Sequence, residues 1–239
     1  IGIYYSDILK DYEGALAKYK RAQNIFEENG YKRHMPYSLN NMVSIELKTG
    51  NYSSAINHLN KLSRVVKELG YGDKVEQGQL DVISSIHTSM GNYKTAIMGL
   101  EKGLKVYEYI NDREMIAYCY AMLGMNHYLD KNYQVALEYL KKSREISSKI
   151  SLTDNDLVIE LYSNLIYKHF SQKLELTKLM DLIKEAKGFG YTTNLFLHQL
   201  IKDRAYLENA FIALEKKAEP MSGKLKRQFL DFNIPKQIM

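Results

Sequence analysis

Six histidines, His34, His58, His87, His127, His169 and His198, are the first places to look for metal or general-base chemistry in this chain. They do not cluster at ligand spacing. His87 and His127 stand 40 residues apart at nearly matching places of a repeat, which would put them on one surface. Two imidazoles alone do not complete a metal site. Asp154-Asn155-Asp156 opens like a calcium loop but lacks the glycine and the closing Glu, so it reads as a helix cap. Cys119 is the single cysteine. It has no basic neighbour in sequence, so it reads as an inert thiol. There is no His-Glu-x-x-His, no phosphate-binding glycine loop, no paired-cysteine motif and no Gly-x-Ser-x-Gly. The expectation is a non-enzyme with no cofactor and no metal.

Bulk properties agree with a binding protein. Hydrophobic residues make up 45% of the 239, enough for a core. Three prolines suit long helices. The 20 tyrosines can serve as core filler or as half-exposed binding groups with a free hydroxyl. A formal charge of +5, from 33 basic and 28 acidic residues, is too small and too mixed to argue for direct nucleic-acid binding. One cysteine points to a reducing, cytoplasmic setting. No stretch approaches the roughly 18 apolar residues of a membrane span, and no signal peptide is visible. Ile1 stands where an initiator Met would, inside a helical pattern, so a fragment of a longer protein is expected.

The elements that would position a binding surface emerge from an internal repeat. Four strings align: Lys10-Asp11-Tyr12-Glu13-Gly14-Ala15, Gly50-Asn51-Tyr52-Ser53-Ser54-Ala55, Gly91-Asn92-Tyr93-Lys94-Thr95-Ala96 and Lys131-Asn132-Tyr133-Gln134-Val135-Ala136. Their tyrosines are 40, 41 and 40 residues apart. Downstream of each Ala runs an apolar stripe. Its columns are Leu16, Ile56, Ile97 and Leu137; Tyr19, Leu59, Leu100 and Leu140; and Ile25, Val65, Val106 and Ile146. Upstream lies a second amphipathic helix, with Leu39, Met42, Ile45 and Leu47 in repeat 2. Small or slim residues recur nine places before the tyrosine, as Val43, Ser84 and Gly124. Gly50 and Gly91 sit where a helix end calls for a left-handed residue. The unit is helix A, tight turn, helix B, polar link.

This pattern resembles the tetratricopeptide repeat (TPR). Leu123-Gly124 and Asn132-Tyr133-x-x-Ala136 carry the resemblance best, and Gly2-x-x-Tyr5 with Asp11-Tyr12-x-x-Ala15 is similar to a repeat whose start is cut off. It implies an all-α fold: a right-handed α-solenoid of about five helix-turn-helix repeats with a C-terminal capping helix, above about 70% helix and without sheet. Residues 1–190 are expected to form the superhelix, with repeat 1 truncated and repeat 5 degenerate. Residues 191–218 are the expected cap, one continuous helix over 193–217. Residues 219–239 are a tail or linker interrupted by Pro220, Gly223 and Pro235. The period exceeds the usual length of about 34. The extra residues lengthen each helix pair by about 10 Å in total. Repeats this long are found in bacterial peptide-sensing regulators of the Rap and NprR kind, which this chain resembles. They are also found in some animal adaptors and in sensory halves of bacterial histidine kinases and cyclases.

In such a solenoid the A helices line a concave groove that holds an extended peptide or a partner helix. The expected lining is Tyr37, Asn40, Asn41, Ser44 and Lys48 from repeat 2, and Asp81, Ser85 and Thr88 from repeat 3. Repeat 4 adds Tyr118, Met125 and Tyr128, and repeat 5 adds Tyr162 and His169. An asparagine amide both donates to and accepts from a peptide backbone. The resemblance implies that role for Asn41, while capping or bridging of helices is the alternative for Asn40 and Asn41. Members that clamp a chaperone terminus need basic residues on the third A helix; Asp81 and Ser85 stand there, which departs from that subtype. The expected function is peptide or protein binding within a larger bacterial signalling or transcription-regulating protein. The alternative is a constitutive scaffold or adaptor, and a homodimer is compatible with both.

Overall fold

A computed structural model of the chain describes residues 11–71 and 73–239, leaving the side chains of 73–77 and 79 out of that description. Gly2, Tyr5 and Lys10 of repeat 1, and Gly72 of the second link, lie outside the described residues. The described chain is 80% helical, with 13 α-helices and no strand. It divides into two compact units, residues 1–86 with 217–230 and residues 87–216 with 231–239.

Unit 1 contains α1 (Tyr12–Glu28), a 3-10 turn (Lys32–His34), α2 (Met35–Lys48), α3 (Tyr52–Glu68) and α12 (Gly223–Leu230). Its helices start on side-chain caps. Asp11 accepts the N–H of Gly14 at 2.8 Å, and Asn51 accepts that of Ser54 at 3.4 Å. They stop on left-handed residues, Gly30 (φ 68°), Gly50 (φ 73°) and Gly70 (φ 71°). After α1, Tyr31 N–H reaches Phe26 O and Gly30 N–H reaches Glu27 O, the paired bonds of a Schellman end. Two apolar clusters hold the unit: Met35, Leu39, Leu62, Val65 and Val66, and Ala15, Tyr19, Met42 and Ile45. The chain returns here near its C-terminus. Lys217 donates to Leu47 O at 3.1 Å, and a Cβ on Gly50 would lie 2.8 Å from the sulfur of Met221.

Unit 2 contains α5 (Tyr93–Tyr109), α6 (Arg113–Leu129), α7 (Tyr133–Ile150), α8 (Asp156–His169), α9 (Leu176–Glu185), α10 (Tyr191–Ile201), most of α11 (Arg204–Ala218) and α13 (Asn233–Ile238). Helix α4 (Asp73–Ser89) contributes its last turn. Helix α6 packs on α5 and α7, α8 packs on α7, α9 and α10, and α6 also meets α8, so consecutive A helices adjoin. The recurring alanines Ala15, Ala55, Ala96 and Ala136 are all 0% exposed. At Gly124 a Cβ would come within 2.6 Å of Leu140, so α6 and α7 approach as closely as glycine allows. Left-handed ends recur without glycine, at Asn111, Lys131, Ser151 and Ser171.

Three expectations meet a different structure. In the column Ile25, Val65, Val106 and Ile146, only Val65 is buried, and Ile25 is 44% exposed. The next position inward carries buried Val66, Tyr107 and Ser147. At about 100° per residue, ten residues rotate the side chain some 80° off the alanine face while eleven return it to within about 20°. The continuous helix over 193–217 is two helices, because Lys202 adopts φ 68° and Asp203 accepts the N–H of Ala205. The tail 219–239 carries α12 and α13, with Phe229 only 1% exposed.

Candidate peptide-binding surface

Helix α2 is built on two faces. Met35, Ser38, Leu39, Met42, Val43, Ile45 and Glu46 are buried. The intervening positions Tyr37, Asn40, Asn41, Ser44 and Lys48 recur at helical spacing and form one stripe open to solvent, with Asn41 half-buried and Tyr37 59% exposed. Asn41 donates through Nδ2 to Tyr37 O at 2.7 Å. That bond ties the amide to its own helix and orients it; the carbonyl Oδ1 keeps its acceptor capacity.

The stripe rests on polar groups that lock α2 to its neighbours. The buried Glu46 carboxyl accepts the Ser54 hydroxyl at 2.6 Å and pairs with His58 Nδ1 at 2.8 Å, both from α3. Gln23 of α1 donates to Met35 O at 2.9 Å and to the Ser38 hydroxyl. Buried hydrogen bonds of this kind hold a helix in one rotational setting. In α4, Asp81 is buried and Ser85 is exposed.

In unit 2 the expected lining residues have different surroundings. Thr88 donates to Asn126 Oδ1 at 2.8 Å, and Asn126 donates in turn to Met122 O. Tyr118 and Met125 are half-buried. Tyr128 and Tyr162 meet edge-on at 5.2 Å, and Phe196 of α10 closes over both, at 5.8 and 5.4 Å. Burial pushes the Tyr128 hydroxyl up to about 12 and holds Tyr162 far above its ordinary value. Tyr162 is 3% exposed, an interior residue rather than an open lining. His169 is exposed, its ring 4.1 Å from Tyr133.

Phe196 is not legible in the sequence, because one aromatic in an apolar run carries no periodic signal. The available clue was that Leu195-Phe196-Leu197 leaves α10 apolar on several sides, which marks a helix buried on more than one face. Asn164 carries no such signal either. It is fully buried and grips the backbone at Glu175 in both directions, donating to the carbonyl at 3.0 Å and accepting the N–H at 2.7 Å. This is the bidentate backbone pairing anticipated for Asn41, made inside the chain.

His87 and His127 are both lowered by burial, and His127 stacks on Tyr139 at 5.3 Å. Among the described residues no group of three or more His, Cys, Asp and Glu could hold a metal ion. No described helix is long and apolar enough to cross a membrane. No curated protein matches the chain. Residues 79–149, from within α4 to the last turn of α7, match the family model described as the tetratricopeptide repeat.

Proposed function

We propose that this chain is a non-catalytic peptide- or protein-binding module. In this reading it is the sensory or regulatory part of a larger bacterial signalling or transcription-regulating protein, working in the cytoplasm where Cys119 stays reduced. The observation that carries the reading is the open polar stripe of α2. Five polar or aromatic side chains face solvent on a helix whose opposite face is locked by Glu46, Ser54 and His58. A rigid row of amide, hydroxyl, phenol and ammonium groups suits an extended peptide, whose backbone Asn41 would hold through Oδ1. Ser85 of α4 extends the proposed lining within unit 1, where Asp81 is buried and takes no part; Thr88, Tyr118, Met125 and His169 are a candidate surface of unit 2 by itself. Tyr128 and Tyr162 join it only if Phe196 moves.

A constitutive scaffold is the second reading, favoured by the closure of Phe196 over Tyr128 and Tyr162, which leaves that face nothing to switch without unpacking α10. One experiment separates the two. A library of unstructured peptides is selected on the wild-type chain, and the winners are titrated against Asn41→Ala and Lys48→Glu by calorimetry. Loss of the Asn41 amide should weaken binding roughly five- to a hundredfold, about 1–3 kcal/mol, with thermal melting unchanged. Equal affinities would remove the stripe from the site. Hydrogen exchange with peptide bound then decides the role: protection confined to the contact favours the scaffold, and altered exchange around α10 favours the sensor.

A further inference from the structure

Unit 1 carries a second recess that shares no residue with the α2 stripe. It is a crevice of about 380 Å³ formed by the end of α1, the Lys32–His34 turn and α3. Its floor is apolar: Phe26, Met35 and Val65, continuous with the core side chains Leu39, Leu62 and Val66. The Phe26 ring lies 5.6 Å from that of His34, which supports it from the turn side. At the small end of ligand-site volumes, such a space takes one large side chain rather than a whole small molecule of drug size.

The rim is charged in an uneven way. Lys32 bonds Glu68 at 2.6 Å on one wall, and Lys61 bonds Glu27 on the other. Both pairs are exposed, so each ammonium can exchange its partner at little cost. Arg64 stands on α3 between Lys61 and Glu68. Among the described residues its one hydrogen bond is a long one from Nε to Asn60 O, 3.4 Å, and it makes no ion pair there. Glu68, which feels its charge, is already held by Lys32. Three cations therefore face two carboxyls, and the one left over is a guanidinium, whose planar fork fits a carboxylate in a bidentate way. Glu27 and Glu68 stay on the rim and would repel the doubled charge of a phosphate group.

We propose that this crevice docks an acidic segment of a partner protein. One large apolar side chain of the segment enters between Phe26, Met35 and Val65, and flanking Asp or Glu side chains meet Arg64 on one side and Lys32 or Lys61 on the other. A chain terminus would offer a single carboxylate, whereas the cations stand on both walls, so an internal acidic segment is the occupant that uses all of them.

The test reads the Met35 methyl group by nuclear magnetic resonance, in the chain labelled at its methionine methyls. Three probes are titrated: acetyl-aspartyl-leucyl-aspartyl amide, its bis-asparaginyl counterpart, and N-acetyl-leucine. The acidic tripeptide should shift the Met35 signal to saturation and do so more weakly as salt is raised. Arg64→Gln, whose side chain supports no core contact, should weaken the effect roughly tenfold, the worth of one charge-assisted bond. Asn41→Ala should leave it unchanged, which keeps this result separate from the fate of the α2 stripe. An absent shift, an equal shift from the asparaginyl peptide, or an unaltered response in Arg64→Gln overturns the proposal. N-acetyl-leucine acting as strongly as the tripeptide overturns the acidic-segment assignment in favour of a chain terminus.

Discussion

At the residue scale, Glu46 is the side chain whose surroundings explain most about the proposed surface. Its side chain is 2% exposed, yet it satisfies two partners on α3, the Ser54 hydroxyl and His58 Nδ1. Removing the carboxyl would leave both without a bond in a partly dry place. Leaving a buried hydrogen-bonding group unsatisfied costs about 1–3 kcal/mol, and with two such groups, one of them His58 at 20% exposure, the loss comes to about 3 kcal/mol. Glu46→Ala should therefore lower the urea midpoint markedly, by an amount equivalent to about 3 kcal/mol. Coincident unfolding curves for variant and wild type would show that α2 is held by its apolar face alone. Asn41 sits one helical turn before Ile45 on the same helix and plays no such part: its bond is local, to Tyr37 O.

At the scale of elements, close approach decides how A and B helices pair. Gly124 of α6 faces Leu140 and Ala136 of α7, and an added Cβ would stand 2.6 Å from Leu140 Cγ and 3.1 Å from Ala136 O. Two effects compete in Gly124→Ala. Helix propensity favours alanine by about 1 kcal/mol. Overpacking costs about 1–3 kcal/mol, and Leu140 is 0% exposed, so it has no space to swing into. The net expectation is a lower melting temperature despite the better helix former. Pairing the change with Leu140→Ala should recover part of the loss, a non-additivity that marks direct contact. A melting temperature raised by Gly124→Ala alone would place α6 and α7 further apart than described.

At the scale of the molecule, the return of the chain shapes what each unit exposes. In unit 1 Met221 packs at the turn at Gly50, and Lys217 donates to Leu47 O at the end of α2. In unit 2, Asn233 donates to the Tyr93 hydroxyl at 2.9 Å, Lys168 donates to the last carbonyls of α10 at 2.7 and 2.8 Å, and Phe196 closes the tyrosine pair. That closure has a titration signature. Tyr128 is raised from 10 to about 12 in the folded chain. The unfolded chain loses its phenolic protons near 10 while the folded chain keeps this one, so the folded state binds more protons in that interval. Stability is whole below pH 10 and declines as pH rises toward about 12. Phe196→Ala should let water reach the pair and bring late-titrating tyrosines down toward 10, read from tyrosinate absorbance. An unchanged titration curve would mean that α10 contributes nothing to the burial of Tyr128 and Tyr162.

The repeat and its helices were legible in the residues themselves, because local chemistry writes them directly. Gly50 and Gly91 turn left-handed at helix ends, and the alanine of each string at Tyr12, Tyr52, Tyr93 and Tyr133 is buried. The exposure of the α2 stripe follows from the same periodicity. Other features depended on partners far away in sequence. Lys131 and Ser171 turn left-handed without glycine because the helix behind them must end where the next one packs. Lys202 breaks a pattern that reads as one helix. Tyr128 and Tyr162 look like open groove residues on α6 and α8 until Phe196 arrives from α10 and takes their faces out of water. Periodicity reports which face of a helix is apolar, but not which segment covers it; that is decided by long-range packing, where burial of aromatic surface outweighs any local preference.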